Sequence, residues 1–165
     1  MIMEIYLVRH GAAYTKEDDP ERHLNKNGLD QCHMSGRALR RLDIKFDLVI
    51  SSPKARARQT AEIIADEVGY PKDEIKVTET LEPTASPKDT TSYLNNFTEK
   101  NNIMLAGHLP LLGNLASELL SESTQISLYF EAGAVCQINV DQPISHTGIF
   151  RWFLTPEQLR LIAQT

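Results

Sequence analysis

Three short motifs in this chain carry residue types that do chemistry. Arg9-His10-Gly11 closes the apolar run Met3 to Val8. Ser52-Pro53-Lys54-Ala55-Arg56 follows the apolar run Phe46 to Ile50, and Gly107-His108-Leu109-Pro110 follows Asn102 to Ala106. Together they supply two arginines and two histidines, Arg9, Arg56, His10 and His108. Gathered in one cleft, such groups repel one another unless an anion lies between them. A phosphoryl group is the natural anion, because planar guanidinium forks match its oxygens. A neutral imidazole nitrogen of His10 could then attack phosphorus in line, with Arg9, Arg56 and His108 holding the equatorial oxygens. The intermediate would be a phosphohistidine, hydrolysed by water in a second step. Gly11 would let the backbone pass close to the phosphate, and helix N-termini near Ser52 and Leu109 would add N–H donors.

The elements around these motifs have to bring them together. Met3–Val8 reads as a buried strand, Phe46–Ile50 and Asn102–Ala106 as further strands, and Ile75–Val77 as a weaker one. Between them the pattern is helical: Asn27 to Leu42, with Leu29, Met34, Ala38 and Leu42 as the apolar positions; a helix capped by Ser52 with Pro53 at its first position; Ser86 to Phe97; and Leu109 to Leu120. Ile126–Phe130, Ala134–Val140 and Gly148–Leu154 read as further strands, and Thr155-Pro156-Glu157 opens a closing helix. This alternation predicts an α/β three-layer sandwich with a mostly parallel central sheet, an antiparallel edge and helices on both faces. The whole of residues 1–165 is expected to form one domain. In open α/β sheets ligands bind beyond the carboxyl ends of the strands, where the three motifs would meet.

Leu7-Val8-Arg9-His10-Gly11 resembles the signature of the histidine phosphatase superfamily, which includes the phosphoglycerate mutases. Ser52 to Ala61 resembles its second arginine motif, and Gly107-His108-Leu109-Pro110 its second histidine motif. The pattern is most like the short form of the family, the SixA-type phosphohistidine phosphatases, from residue 3 to about residue 140. The resemblance implies that His10 is the nucleophile and that Arg9, Arg56 and His108 bind the phosphoryl group. Arg22-His23-Leu24-Asn25 stands where the subfamily often has Arg-Pro-Leu-Thr, and with two of four residues changed no role is carried over to Arg22. The substrate implied is a phosphohistidine on a partner protein, such as a phosphotransfer domain. The alternatives are a phosphatase of small phosphate monoesters and a non-catalytic phosphohistidine-binding module.

An ester substrate would require a general acid. Mutase-like relatives place a glutamate after the third strand, where this chain has Glu79-Thr80-Leu81-Glu82-Pro83. Glu82 is one residue out of step with that pattern and remains the candidate, with Glu79, Asp18 and Asp19 as other carboxylates near by in sequence. Phosphohistidine needs less acid assistance, because its leaving imidazole protonates near neutral pH. Short connections after Arg56 and Pro83 leave little chain for a lid, which suits a phosphohistidine displayed on a protein.

Composition bounds the rest. With 17 Lys and Arg against 22 Asp and Glu the net charge is −5, which argues against a nucleic-acid-binding surface. No apolar run is long enough to span a bilayer, and Met1 to His10 does not read as a secretory signal, so a cytoplasmic location without membrane association is expected. Cys32 and Cys136 form no CxxC unit and are expected to be buried, reduced thiols. No histidine or carboxylate cluster has metal-ligand spacing, and neither metal nor cofactor is expected. No motif marks an interface between copies, so a monomer is expected.

Overall fold

The computed structural model describes residues 2–165. Six strands form one sheet in the order β3-β2-β4-β1-β5-β6. They are β1 Met3–Arg9, β2 Leu48–Ser51, β3 Lys76–Val77, β4 Asn102–Gly107, β5 Val135–Val140 and β6 Ile149–Leu154. The first four are mutually parallel, while β5 pairs antiparallel with β1 and β6 antiparallel with β5. The helices are α1 Lys26–Arg41, α2 Ala55–Val68, α3 Pro87–Leu94, α4 Leu111–Leu120 and α5 Pro156–Gln164.

The pleat sorts the strand side chains into two cores. Ile5, Leu7, Ile50, Ile103, Leu105 and Ile138 face α3 and α4, meeting Leu94, Leu111, Leu115 and Leu119. Tyr6, Val8, Val49, Met104 and Val135 face the opposite way, onto Leu39 of α1, Ile64 of α2 and Leu159 of α5. Burial on both faces explains why β1, β2 and β4 read as continuous apolar runs rather than alternating ones. Both cysteines are free thiols inside these layers. Gly69 ends α2 in the left-handed conformation, and Thr155 closes a capping box with Gln158 at the start of α5.

Three expectations are corrected. Ser52 does not cap α2 and Pro53 is not helical: the N-cap is Lys54, in an extended conformation, and the helix begins at Ala55. The hydroxyl of Ser52 is held by a partner 56 residues away, His108. Ile126–Phe130 is not a strand. It crosses the strand ends, where the Ile126 N–H donates to Ser117 Oγ at 2.8 Å and the Phe130 carbonyl accepts from Arg9 at 2.6 Å. The buried face of α1 also lies elsewhere than the leucines suggested. Leu29 and Leu42 are 38% and 45% exposed, while Cys32, Ser35, Gly36 and Leu39 point inward.

Candidate functional site

β2, β4 and β1 are neighbours, and their carboxyl ends are level: Arg9 pairs with Gly107 and Ser51 with Ala106. The residues that follow, His10, Ser52 and His108, therefore emerge side by side. Because β5 is antiparallel, its beginning reaches the same edge. The Gly133 N–H donates to the carbonyls of Arg9 and His10 at 3.1 and 3.2 Å.

His10 is 8% exposed and its two ring nitrogens are assigned by their partners. Nδ1 lies 2.7 Å from the Gly11 carbonyl, an acceptor only, so Nδ1 carries the proton. Nε2 receives the Arg56 Nε–H at 3.3 Å, so Nε2 holds a lone pair. Burial, with the charges of Arg56, Arg9 and Arg22, pushes the His10 pKa down to about 4, against the upward pull of the Gly11 carbonyl. The imidazole is thus neutral at physiological pH, with its basic nitrogen turned toward Arg56.

The His108 ring lies 5.0 Å from that of His10 between centroids, tilted by 58°, and His108 is 1% exposed. Burial is the largest cause of its pKa falling to about 2, and His10, Arg56, Lys54 and Arg22 add to it. Its Nε2 lies 2.8 Å from Ser52 Oγ, which also accepts the Lys54 N–H at 3.3 Å. If Ser52 donates its hydroxyl proton to Nε2, the ring proton of His108 lies on Nδ1. That nitrogen and Arg9 Nε are the two buried side-chain polar atoms without a protein partner among the described residues. Both belong to residues picked out in the sequence as phosphoryl ligands. Buried polar atoms without partners are rare, and an anion bound in this cationic site could accept from Arg9 Nε and, in the Nδ1–H tautomer, from His108. No group of three or more His, Cys, Asp and Glu side chains is placed to hold a metal ion among the described residues.

The structure brings Arg56, His10 and His108 together, and Arg9 acts on His10 through its charge while Nη1 is anchored on Phe130. Gly11 has a different role from the one expected. Its N–H donates to Thr60 Oγ1 at 3.1 Å, and a Cβ there would stand 2.7 Å from the Gly28 carbonyl, so it is glycine for the sake of α1 packing. The N-terminus of α4 is also turned elsewhere, since the Leu111 N–H donates to the Pro83 carbonyl. Glu82 Oε1 lies 3.8 Å from Lys54 Nζ and makes no hydrogen bond to either site histidine. Asp19 is held below the usual carboxylate range by hydrogen bonds from His23, so it is a poor proton donor. Asp18 accepts from Thr15 on the same loop.

Three contributors were missed. Arg22, at φ 55° with Nε donating to the Tyr14 carbonyl, presents its charge to His10, Arg56 and His108. Its match to the first residue of the subfamily's Arg-Pro-Leu-Thr stretch was the available signal. Ser52 orients His108. Thr60 accepts from Gly11 and donates to the Arg56 carbonyl at 2.7 Å, tying the two halves of the site together.

The Histidine phosphatase superfamily (branch 1) profile matches residues 5–83. Over that span the chain is similar to the histidine phosphatase superfamily. It is 29% identical to phosphohistidine phosphatase SixA of Escherichia coli (strain K12) over 162 residues, 96% of this chain and 98% of that protein. It superposes on the protein histidine phosphatase SixA complexed with tungstate with a TM-score of 0.84 at 28% identity, covering 95% of this chain and 99% of that one. Alpha-ribazole phosphatase from Shigella flexneri shares the fold, with a TM-score of 0.76 at 16% identity over 93% and 97% of the two chains. A neutral histidine set among arginines is an arrangement chemically suited to accept a phosphoryl group.

Proposed function

We propose that this chain is a phosphohistidine phosphatase that removes the phosphoryl group from a histidine on a partner protein. The observation that carries the reading is His10, held neutral with its lone pair on Nε2, in a site with two buried side-chain nitrogens that have no protein partner among the described residues. In the first step the Nε2 lone pair attacks phosphorus, the P–N bond to the substrate imidazole breaks, and the departing nitrogen takes a proton from water. Arg9, Arg56 and the Nδ1–H of His108 stabilise the oxygens as charge shifts onto them. Water then attacks the phosphorus on His10, inorganic phosphate leaves, and the neutral imidazole is restored.

The substrate class rests on two supports. One is the similarity to SixA over nearly the whole of both chains. The other is the acid. An ester would release an alkoxide and need a placed proton donor, yet Glu82, the residue named for that role, is beside Lys54 instead. We further propose that residues 1–165 act as one domain, as a monomer in the cytoplasm, where two buried free thiols remain reduced. No helix among the described residues is long and apolar enough to cross a membrane.

The test is phosphate release from a phosphohistidine-bearing phosphotransfer domain beside a generic phosphomonoester. The expected result is release from phosphohistidine far faster than from the ester, lost in His10→Ala, and reduced at least ~100-fold in Arg9→Ala or Arg56→Ala. Efficient ester hydrolysis with little phosphohistidine turnover would overturn the substrate. Turnover that survives in His10→Ala would overturn the mechanism.

A further inference from the structure

The cleft leading to Arg56 carries more positive charge than one phosphoryl group requires. It encloses about 790 Å³ and is lined by Lys16, Arg22, Lys54, Arg56 and Arg58, with Glu21 as its one carboxylate. A wall with five cations and one anion stands out in a chain whose net charge is −5. Arg56 and Arg22 act on His10, as above. Lys54 acts on His108 in the same way, so Lys16 and Arg58 remain, and nothing in the phosphoryl chemistry uses them.

Their own partners hold them loosely. Arg58 Nη2–Glu62 Oε1 and Lys54 Nζ–Glu82 Oε1 are both 3.8 Å apart, and three of these four side chains are about half exposed. Pairs of that kind are weak and readily exchanged. Lys16 has no carboxylate within 4.0 Å among the described residues. Glu21, the opposing charge, faces His23 Nε2 at 3.4 Å. The lining includes no Phe, Tyr or Trp on which a nucleobase could stack.

We propose that this cleft receives an acidic stretch of the phosphorylated partner protein, next to its phosphohistidine, and that Lys16 and Arg58 select substrates by that charge. The inference rests on the phosphohistidine reading and adds a sequence context to it. Rim cations of this kind steer encounter and discriminate between partners more than they add raw affinity, and salt screens them.

The test uses peptides bearing a non-hydrolysable phosphonate analogue of phosphohistidine, flanked by Asp and Glu or by Ser and Gly, with binding read by fluorescence anisotropy. The acidic peptide should bind wild-type protein at least about tenfold more tightly than the neutral one, and the gap should narrow as salt is raised. Lys16→Glu with Arg58→Glu should abolish the gap, and Lys16→Gln with Arg58→Gln should reduce it. Both double variants should keep the wild-type rate on phosphoramidate, which has no peptide flanks to lie along Lys16 and Arg58. Equal binding of the two peptides would overturn the proposal, as would a preference that survives charge reversal. So would an RNA oligonucleotide that competes better than the acidic peptide. Because binding is read without turnover, equal binding with brisk phosphohistidine hydrolysis refutes the groove alone, whereas acidic preference without hydrolysis refutes the catalytic reading alone.

Discussion

Acidification should destabilise this protein through the two site histidines, by an amount that follows from their burial. Folding lowers His10 from 6.5 to about 4 and His108 from 6.5 to about 2. Both bases are depressed in the folded state, so the unfolded chain binds protons first. The stability that keeps them neutral is intact above the unfolded value of 6.5 and is lost progressively as pH falls toward the folded values. At about pH 5 an unfolded histidine is almost fully protonated, while folded His10 and His108 remain largely neutral. Integrating the linkage from about pH 7 to about pH 5 gives a loss of about 2 kcal/mol for each histidine, about 4 kcal/mol together. That is a large part of a typical domain's 5–15 kcal/mol, in order of magnitude about a third. Urea unfolding at the two pH values measures it directly. Wild-type protein should show the full loss, and His10→Gln or His108→Gln should each show about 2 kcal/mol less of it over the same interval. Surface carboxylates and the other histidines contribute equally to wild type and variant and cancel in the difference. If both variants lose as much stability as wild type on acidification, the histidines are not held neutral, and the account of His10 as a ready nucleophile fails with them.

Two further substitutions probe the supports of the site. Ser52→Ala removes the 2.8 Å partner of His108 Nε2 and frees its tautomer, so kcat for phosphohistidine should fall about tenfold or more while the fold is retained, and Ser52→Thr should restore part of it. Thr60→Val leaves the buried Gly11 N–H without its acceptor and removes the hydroxyl bond to the Arg56 carbonyl. It should cost about 1–3 kcal/mol in denaturant unfolding and lower kcat as well, whereas a wild-type rate would show that Gly11 and Arg56 hold their places without it.

The catalytic residues were legible because a parallel sheet delivers chemistry at a fixed place, just after a strand. Arg9-His10-Gly11 and Gly107-His108 each end a strand of continuous apolar residues, and the register of β1, β2 and β4 makes those ends coincide. What was not legible depended on partners distant in the chain. Ser52-Pro53 has the composition of a helix start, and only the fold reveals that His108 claims the serine. Gly11 was assigned to the phosphate because the opposing Gly28 carbonyl lies in α1, seventeen residues on but in contact. Arg22 sits on a loop with positive φ, held by backbone bonds to Asp19 and Tyr14, and loop geometry leaves no periodic trace in a sequence. Leu29 and Leu42 were read as core because they are apolar, whereas α1 packs through Gly28, Ser35 and Gly36, small residues that allow close approach but carry no hydropathy signal.

The same arginines that receive the phosphoryl group make a general base unnecessary. A histidine with an ordinary pKa would be partly protonated near neutral pH and would need a partner to strip it. Burial together with Arg9, Arg22 and Arg56 keeps His10 unprotonated before any substrate arrives, and the Gly11 carbonyl fixes which nitrogen is free. The cationic field then reverses its effect on the chemistry: it opposed a proton on His10, and it favours the anionic phosphoryl group that His10 attacks. No carboxylate hydrogen-bonds to either site histidine among the described residues, and with an imidazole as the leaving group none is required for the P–N bond to break. On the proposed function this chain would work by electrostatic placement rather than by an acid–base pair. It follows that Glu82→Ala should leave phosphohistidine turnover within about twofold of wild type, since a carboxylate beside Lys54 contributes to the rim and not to the reacting atoms. A loss of about 100-fold or more in that variant, measured as phosphate release at saturating substrate, would assign the missing proton to Glu82 and return the enzyme to ester chemistry.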